Sequence, residues 1–159
     1  MSEFTAWLEL QVLLSVLAQP VTLGQDPVTV PLVSPGDQAA CGRLFEAVHS
    51  PAQNVLLVLK DVKAQGNPGA SWEVHVEARG ARPDPGDRHL VGVVSLFDGQ
   101  PGEFRFVLDP VLTVIGKKSL QARFVPVSGV MTGDKPQPAV VSHPVTISGI
   151  ELAIEAGGQ

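Results

Sequence analysis

The feature that most constrains this chain is how its apolar residues are parcelled. They fall into short runs rich in Val, Leu and Ile, each ended by Gly, Pro, Asn or Asp, with no sustained helical period between them. Residues 54–62 form a nearly continuous apolar run, the pattern of a strand buried on both faces, and Gly66-Asn67-Pro68-Gly69 supplies a turn after it. In residues 71–79, Trp72, Val74 and Val76 alternate with Glu73, His75, Glu77 and Arg79, which predicts a strand with one core face and one wet face. Further strands are predicted over residues 89–97, 104–108, 120–127 and 145–154. In the last of these the apolar parity switches between Ile147 and Ile150, which places a β-bulge at Ser148-Gly149. Residues 21–32 alternate β-branched with polar side chains, and Pro27 and Pro31 remove ladder donors, so this segment belongs at a sheet margin. Gly 16 and Pro 14 in 159 residues supply the turns that so many strands need. The expected fold is therefore all-β, an antiparallel sandwich of about seven strands. Helix is expected only locally, around Leu44, Phe45 and Val48, and from Asp109-Pro110, with Asp as N-cap and Pro at the first helical position. Residues 129–144, with Pro136, Pro138 and Pro144, read as a long loop.

The amino-terminal segment has a different pattern. Leu10, Leu13, Leu14 and Leu17 recur at three and four, Thr5 can cap, and Pro20 closes the run, which predicts an amphipathic helix over residues 1–19. Glu3 and Glu9 stand where a secretory leader needs positive charge, and the apolar run is shorter than a membrane span requires. The compartment is left open, with a small lean to the cytoplasm. The domain organisation that follows is an apolar arm at 1–19, a β-sandwich at 20–156 and a flexible tail at 157–159. Trp7, Leu10, Leu13, Leu14 and Leu17 are the candidate partner-binding residues. They are equally able to meet a second copy, a partner chain or the domain's own sheet, since periodicity shows burial without showing against what.

The chemistry available is sparse. With a formal charge of -5 and Lys+Arg 11 scattered along the chain, there is no clustered cation to displace counterions from a phosphate backbone, so nucleic acid is not an expected partner. Cys41 is the one cysteine, which excludes an internal disulfide. His49, His75, His89 and His143 lie at no three- or four-residue spacing from one another, so no helix can present a ligand pair. Neither a phosphate-cradling Gly-rich loop nor a nucleophile elbow occurs. Glu73, His75 and Glu77 share a strand face and are the best metal-like constellation, but the sequence supplies no further convergent ligands, and the solvated side of an amphipathic strand is the preferred reading. Cys41 with His49 has no third orienting group and reads as a packed thiol. No cofactor, metal site or catalytic residue is expected.

Taken together, several blocks resemble the C-terminal β-domain that follows the catalytic core in tyrosinases and polyphenol oxidases, the type-3 copper proteins. They are Val55-Leu56-Leu57-Val58-Leu59-Lys60-Asp61-Val62, Ser71-Trp72-Glu73-Val74-His75-Val76, His89-Leu90-Val91-Gly92-Val93-Val94-Ser95-Leu96-Phe97, Leu120-Gln121-Ala122-Arg123-Phe124-Val125-Pro126-Val127 and Val145-Thr146-Ile147-Ser148-Gly149-Ile150-Glu151-Leu152. With Pro20-Val21-Thr22-Leu23 the resemblance spans residues 20–154. These are packing patterns and carry no catalytic signature. Two departures matter: the histidine-rich copper core of the family has no counterpart among four dispersed histidines, and residues 1–19 match nothing in that domain. The resemblance implies a sandwich fold and a shielding or assembly role. In full-length relatives this domain packs over the dicopper entrance and places an apolar or aromatic side chain toward it. Phe97, beside Asp98-Gly99, is the candidate here.

The sequence therefore points first to a non-catalytic, protein-binding sandwich, an accessory or covering subunit joined through the amino-terminal helix and a sheet face to a partner, with a tyrosinase-like core chain as one candidate. A homo-oligomeric scaffold with no copper connection is the alternative. A metal-dependent enzyme using Glu73, His75 and Glu77 comes third.

Overall fold

The computed structural model describes residues 10–16, 19–33, 42–43, 46–47, 53–80, 89–96, 102–115, 119–128, 131–132, 135–136 and 139–156. Their elements, in chain order, are β1 (Leu10–Ser15), β2 (Val21–Leu23), β3 (Val28–Val33), β4 (Gln53–Ala64), β5 (Ser71–Ala78), β6 (Leu90–Val94), β7 (Gly102–Val107), α1 (Asp109–Ile115), β8 (Leu120–Val127), β9 (Met131–Thr132), β10 (Lys135–Pro136), β11 (Val145–Ile147) and β12 (Gly149–Ala156). The strands form a 6-stranded sheet (β1, β2, β4, β7, β11, β12), a 4-stranded sheet in the order β3-β8-β5-β6, and the small β9–β10 ribbon. Every strand pair is antiparallel. The all-β sandwich is thus the observed fold. It has more strands than expected because residues 10–15 form β1, the segment after Pro20 divides into β2 and β3, residues 129–144 contain the β9–β10 ribbon and the last strand is divided at Ser148.

The two sheets enclose one core. The larger sheet contributes Val55, Leu57, Leu59 and Val62 from β4 and Ile150, Leu152 and Ile154 from β12; the smaller contributes Trp72, Val74 and Val76 from β5 and Leu120, Ala122 and Phe124 from β8. Period-2 alternation places these residues inward, as the sequence predicts for β5. Trp72 is fully buried, and its indole N–H donates to Gly24 O at 3.2 Å, so its one polar atom is satisfied inside the core. Gly92 of β6 faces Phe106 of β7: a methyl there would overlap the ring, so the missing side chain is what lets the two sheets close at this corner. Phe104 and Phe106 stack at 6.3 Å between centroids.

The expected helix over residues 1–19 is overturned where the chain is described. Leu10–Ser15 is a strand, paired with β12 from Leu10↔Glu155 to Ser15↔Glu151. Short apolar runs fit either period, and an open sheet edge decides the matter by offering a ladder of backbone partners that an isolated helix would not find. After β1, Val16 N donates to Ile150 O at 2.8 Å, and β2 then pairs with β11 from Val21↔Ile147 to Leu23↔Val145. β1 and β2 therefore run end to end along one margin of the larger sheet, opposite the continuous line of β12 and β11. Residues 1–9 and the tail 157–159 lie outside the described residues. So do Leu44, Phe45 and Val48, within a segment whose described residues 42–43 and 46–47 are helical.

The predicted bulge at Ser148-Gly149 takes another form. Thr146↔Lys63 and Gly149↔Lys60 keep one register with β4, so no residue is inserted relative to that strand. Instead both strands change parity at the same place: Ile147 and Ile150 are core residues on one, Leu59 and Val62 on the other. Asp61 adopts φ 51, the left-handed region, and Ser148 N donates to Lys60 O at 3.1 Å across the kink. The register slip falls between β4 and β7, at Leu59/Val62. Asp109 also differs from expectation in its bonding: its Oδ1 accepts Val55 N at 2.9 Å, tying the start of α1 to β4.

Candidate interaction surface

The outward face of the larger sheet carries a transverse apolar row. Register places Val12 (β1) beside Ala153 (β12), Ala153 beside Leu56 (β4), and Leu56 beside Val107 (β7). Ala153 and Leu56, in the middle of the row, are 0% and 3% exposed, whereas Val12 and Val107 at its ends are 43% and 48% exposed. In the next row, Ser15–Glu151–Val58–Arg105, Val58 is fully buried and clusters with Leu56 and Ala153, and the charges around it are paired: Lys60 with Glu151 at 3.4 Å, and Arg105 with Glu103 at 2.7 Å and Glu155 at 3.9 Å. The middle of the row is closed to solvent, so what it offers a partner is Val12 and Val107 at its two ends, with charged side chains nearby. Its signal in the sequence was thin, because β4 reads as apolar on both faces without showing which neighbours continue its outward residues.

The expected partner-binding residues are only partly placed. Leu10, Leu13 and Leu14 lie on β1, not on a helix, with Leu10 paired to Glu155 and Leu14 to Leu152. Trp7, Leu17 and Phe97 fall outside the described residues, as do Cys41 and His49. The structure brings Leu10, Leu13 and Leu14 to the domain's own sheet.

Glu73, His75 and Glu77 do share one face of β5, but that face is not wet. His75 is 6% exposed and Glu77 0%. Alternation decides which residues point together, and says nothing of what covers them; here long polar side chains from β8 do part of the covering. Register sets Arg123 beside His75 and Gln121 beside Glu77. Gln121 Nε2 donates to Glu77 Oε2 at 2.7 Å, Arg123 Nε to the same oxygen at 3.3 Å and Arg123 Nη2 to Oε1 at 3.4 Å. His75 Nε2 meets Glu73 Oε1 at 3.1 Å. Both oxygens of Glu77 are thus engaged by a cation and an amide, an arrangement that compensates a buried carboxylate. Among the described residues no group of three or more His, Cys, Asp or Glu is placed to hold a metal ion. The polar parity of Gln121 and Arg123 against Ala122 and Phe124 was the sequence signal for this network.

Two recesses lie among the described residues. One of about 340 Å³ is lined by Lys60, Asp61, Gly102 and Glu103, and one of about 300 Å³ by Lys63, Ala64, Gln65, His143, Pro144 and Thr146. Both are surface features of the kinked end of the larger sheet. His143 lies against Gly66 there.

No protein-family model and no curated protein matches the chain. Solved structures do. Recombinantly expressed latent aurone synthase, a polyphenol oxidase, matches with a TM-score of 0.52 and 16% identity over 88% of this chain and 26% of its own. The same enzyme from its natural source matches with a TM-score of 0.52 and 15% identity, over 88% and 26%. Latent apple tyrosinase matches with a TM-score of 0.55 and 14% identity, over 86% and 27%. The chain therefore spans only 26% to 27% of the length of these oxidases, a share consistent with a C-terminal domain. At such identities the likeness is one of fold.

Proposed function

We propose that this chain is a non-catalytic, protein-binding β-sandwich, an accessory or covering unit of the kind that follows the core in type-3 copper oxidases. The observation that carries the reading is the asymmetry of the fold likeness: nearly all of this chain is matched, against about a quarter of each oxidase. A second support is ligand counting. The resembled copper pair uses six histidines, and His 4 is the whole complement of this sequence.

The test is to mix the purified chain with a type-3 copper oxidase core freed of its own C-terminal domain. A complex of defined stoichiometry, in which phenol oxidation by the core is slowed, is the expected result. Failure to co-migrate, with the rate of the core unchanged, overturns the covering role.

A further inference from the structure

Two connections cross from the larger sheet to the smaller, the β2–β3 turn and the β4–β5 turn, and residues 139–142, which lead toward β11, are bonded to both. The Gln25 side chain, on the first turn, holds this segment as a neighbouring strand would: its Nε2 donates to Ala139 O, and its Oε1 accepts Val141 N at 3.0 Å. Ser142 N donates to Pro68 O, on the second turn, at 2.7 Å. The close approach there depends on glycine. A Cβ at Gly69, which has φ 79, would lie 3.1 Å from Ser142 Oγ and 3.2 Å from Val140 O. The core reaches this end through Leu23 and Trp72, both 0% exposed, and the Trp72 indole N–H donates to the carbonyl of Gly24, the residue before Gln25. Val141 packs against that core while Val140 is 71% exposed, so adjacent side chains of the segment point to opposite sides.

We infer that residues 139–142 are a strap that closes this end of the sandwich and opens as a local unit, with the Gln25 amide as its latch and Trp72 as the core group it guards. Among the described residues three hydrogen bonds hold the strap, two of them from one side chain. Each is worth little net, because water replaces it on opening. β4, by contrast, is laddered to β12 and β11 on one side and to β7 on the other. A segment held by solvent-exposed hydrogen bonds and few buried apolar contacts opens well below the free energy of global unfolding. Gly24 and Gln25 are consecutive, so release of the Gln25 side chain loosens the carbonyl that receives the Trp72 indole N–H, and this joins the strap to the core. The inference concerns the chain by itself and stands whether or not the covering role does.

Native-state hydrogen exchange on the full chain tests it, read at the amides of Val141 and Ser142, the indole N–H of Trp72 and the amides of β4. The expected result is that Val141, Ser142 and the Trp72 indole share one opening free energy, lower than that of β4 and nearly insensitive to low urea, as an opening that exposes little surface must be. Gln25→Ala should speed exchange at Ser142 and at the Trp72 indole by about tenfold, although neither bonds Gln25, because two modest hydrogen bonds of the closed state are lost. Strap amides that exchange only in step with β4 overturn local opening. A Trp72 indole that follows β4 while Ser142 opens separately overturns the guarding of the core, and a Ser142 rate unchanged in Gln25→Ala overturns the latch. If Gln25→Ala does not fold, Gln25→Glu, which keeps the acceptor for Val141 N and loses the donor to Ala139 O, is read in the same way, and the comparison within the unmodified chain needs no variant.

Discussion

Glu77 and Arg123 show what a buried charge asks of its surroundings. Removing Arg123 leaves a carboxylate with no exposure facing only Gln121, and breaking a buried pair in this way typically costs about 3 to 5 kcal/mol. Arg123→Met is therefore expected to lower the urea midpoint strongly, whereas Lys60→Met, which breaks only the half-exposed pair with Glu151, moves it by less than about 1 kcal/mol. The double variant Glu77→Leu/Arg123→Met should recover most of the loss, because two apolar side chains leave no charge unpaired. Equal midpoints for Arg123→Met and Lys60→Met would show that the network is not buried in solution. At the opposite corner Gly92→Ala forces the Phe106 ring to move, an overpacking cost of about 1 to 3 kcal/mol, and adding Phe106→Leu should relieve it. A denaturation midpoint for Gly92→Ala equal to that of the unmodified chain would mean the ring has room to shift. Which residues of β5 point inward was legible from alternation. Closure of its outward face was not, since the covering atoms of Gln121 and Arg123 arrive from 44 and 46 residues away in sequence.

At the level of elements, the kink shared by β4 and the β11–β12 pair explains why two strands keep step while both lose parity. Asp61 holds the left-handed conformation there, which Asp tolerates and β-branched residues do not. Asp61→Gly should be neutral or slightly stabilising, and Asp61→Val destabilising by about 1 to 2 kcal/mol in thermal or denaturant melts. The opposite order would place the strain elsewhere. The parity switch at Ile147 and Ile150 was visible in the sequence; that its partner strand switches too was hidden, because the apolar run of β4 has no alternation to break. The amino-terminal strand follows the same logic. Deleting residues 1–15 is expected to lower the melting temperature, as β12 then loses its ladder with β1 and Ala153 its covered flank. A truncated chain that melts as the full one does would return this segment to a purely assembling role.

For the whole molecule, the expectation of binding over catalysis is checked by elemental analysis: the purified chain should hold no stoichiometric copper and oxidise no phenols, and one copper or more per chain would defeat the covering role. Length, turn residues and repeated period-2 blocks by themselves determined a two-sheet β architecture and its principal core residues, because alternation and turn chemistry are local properties of the backbone. They also determined the resemblance to the polyphenol oxidase C-terminal domain, which rests on the order of those blocks. The tertiary structure alone decided that Leu10–Ser15 is a strand, that Glu77 is buried with Arg123, and that Val12, Ala153, Leu56 and Val107 lie in one row. Each of these depends on which strand lies beside which, and strand neighbours are chosen by long-range register and closure of the core, quantities that no local window of sequence contains.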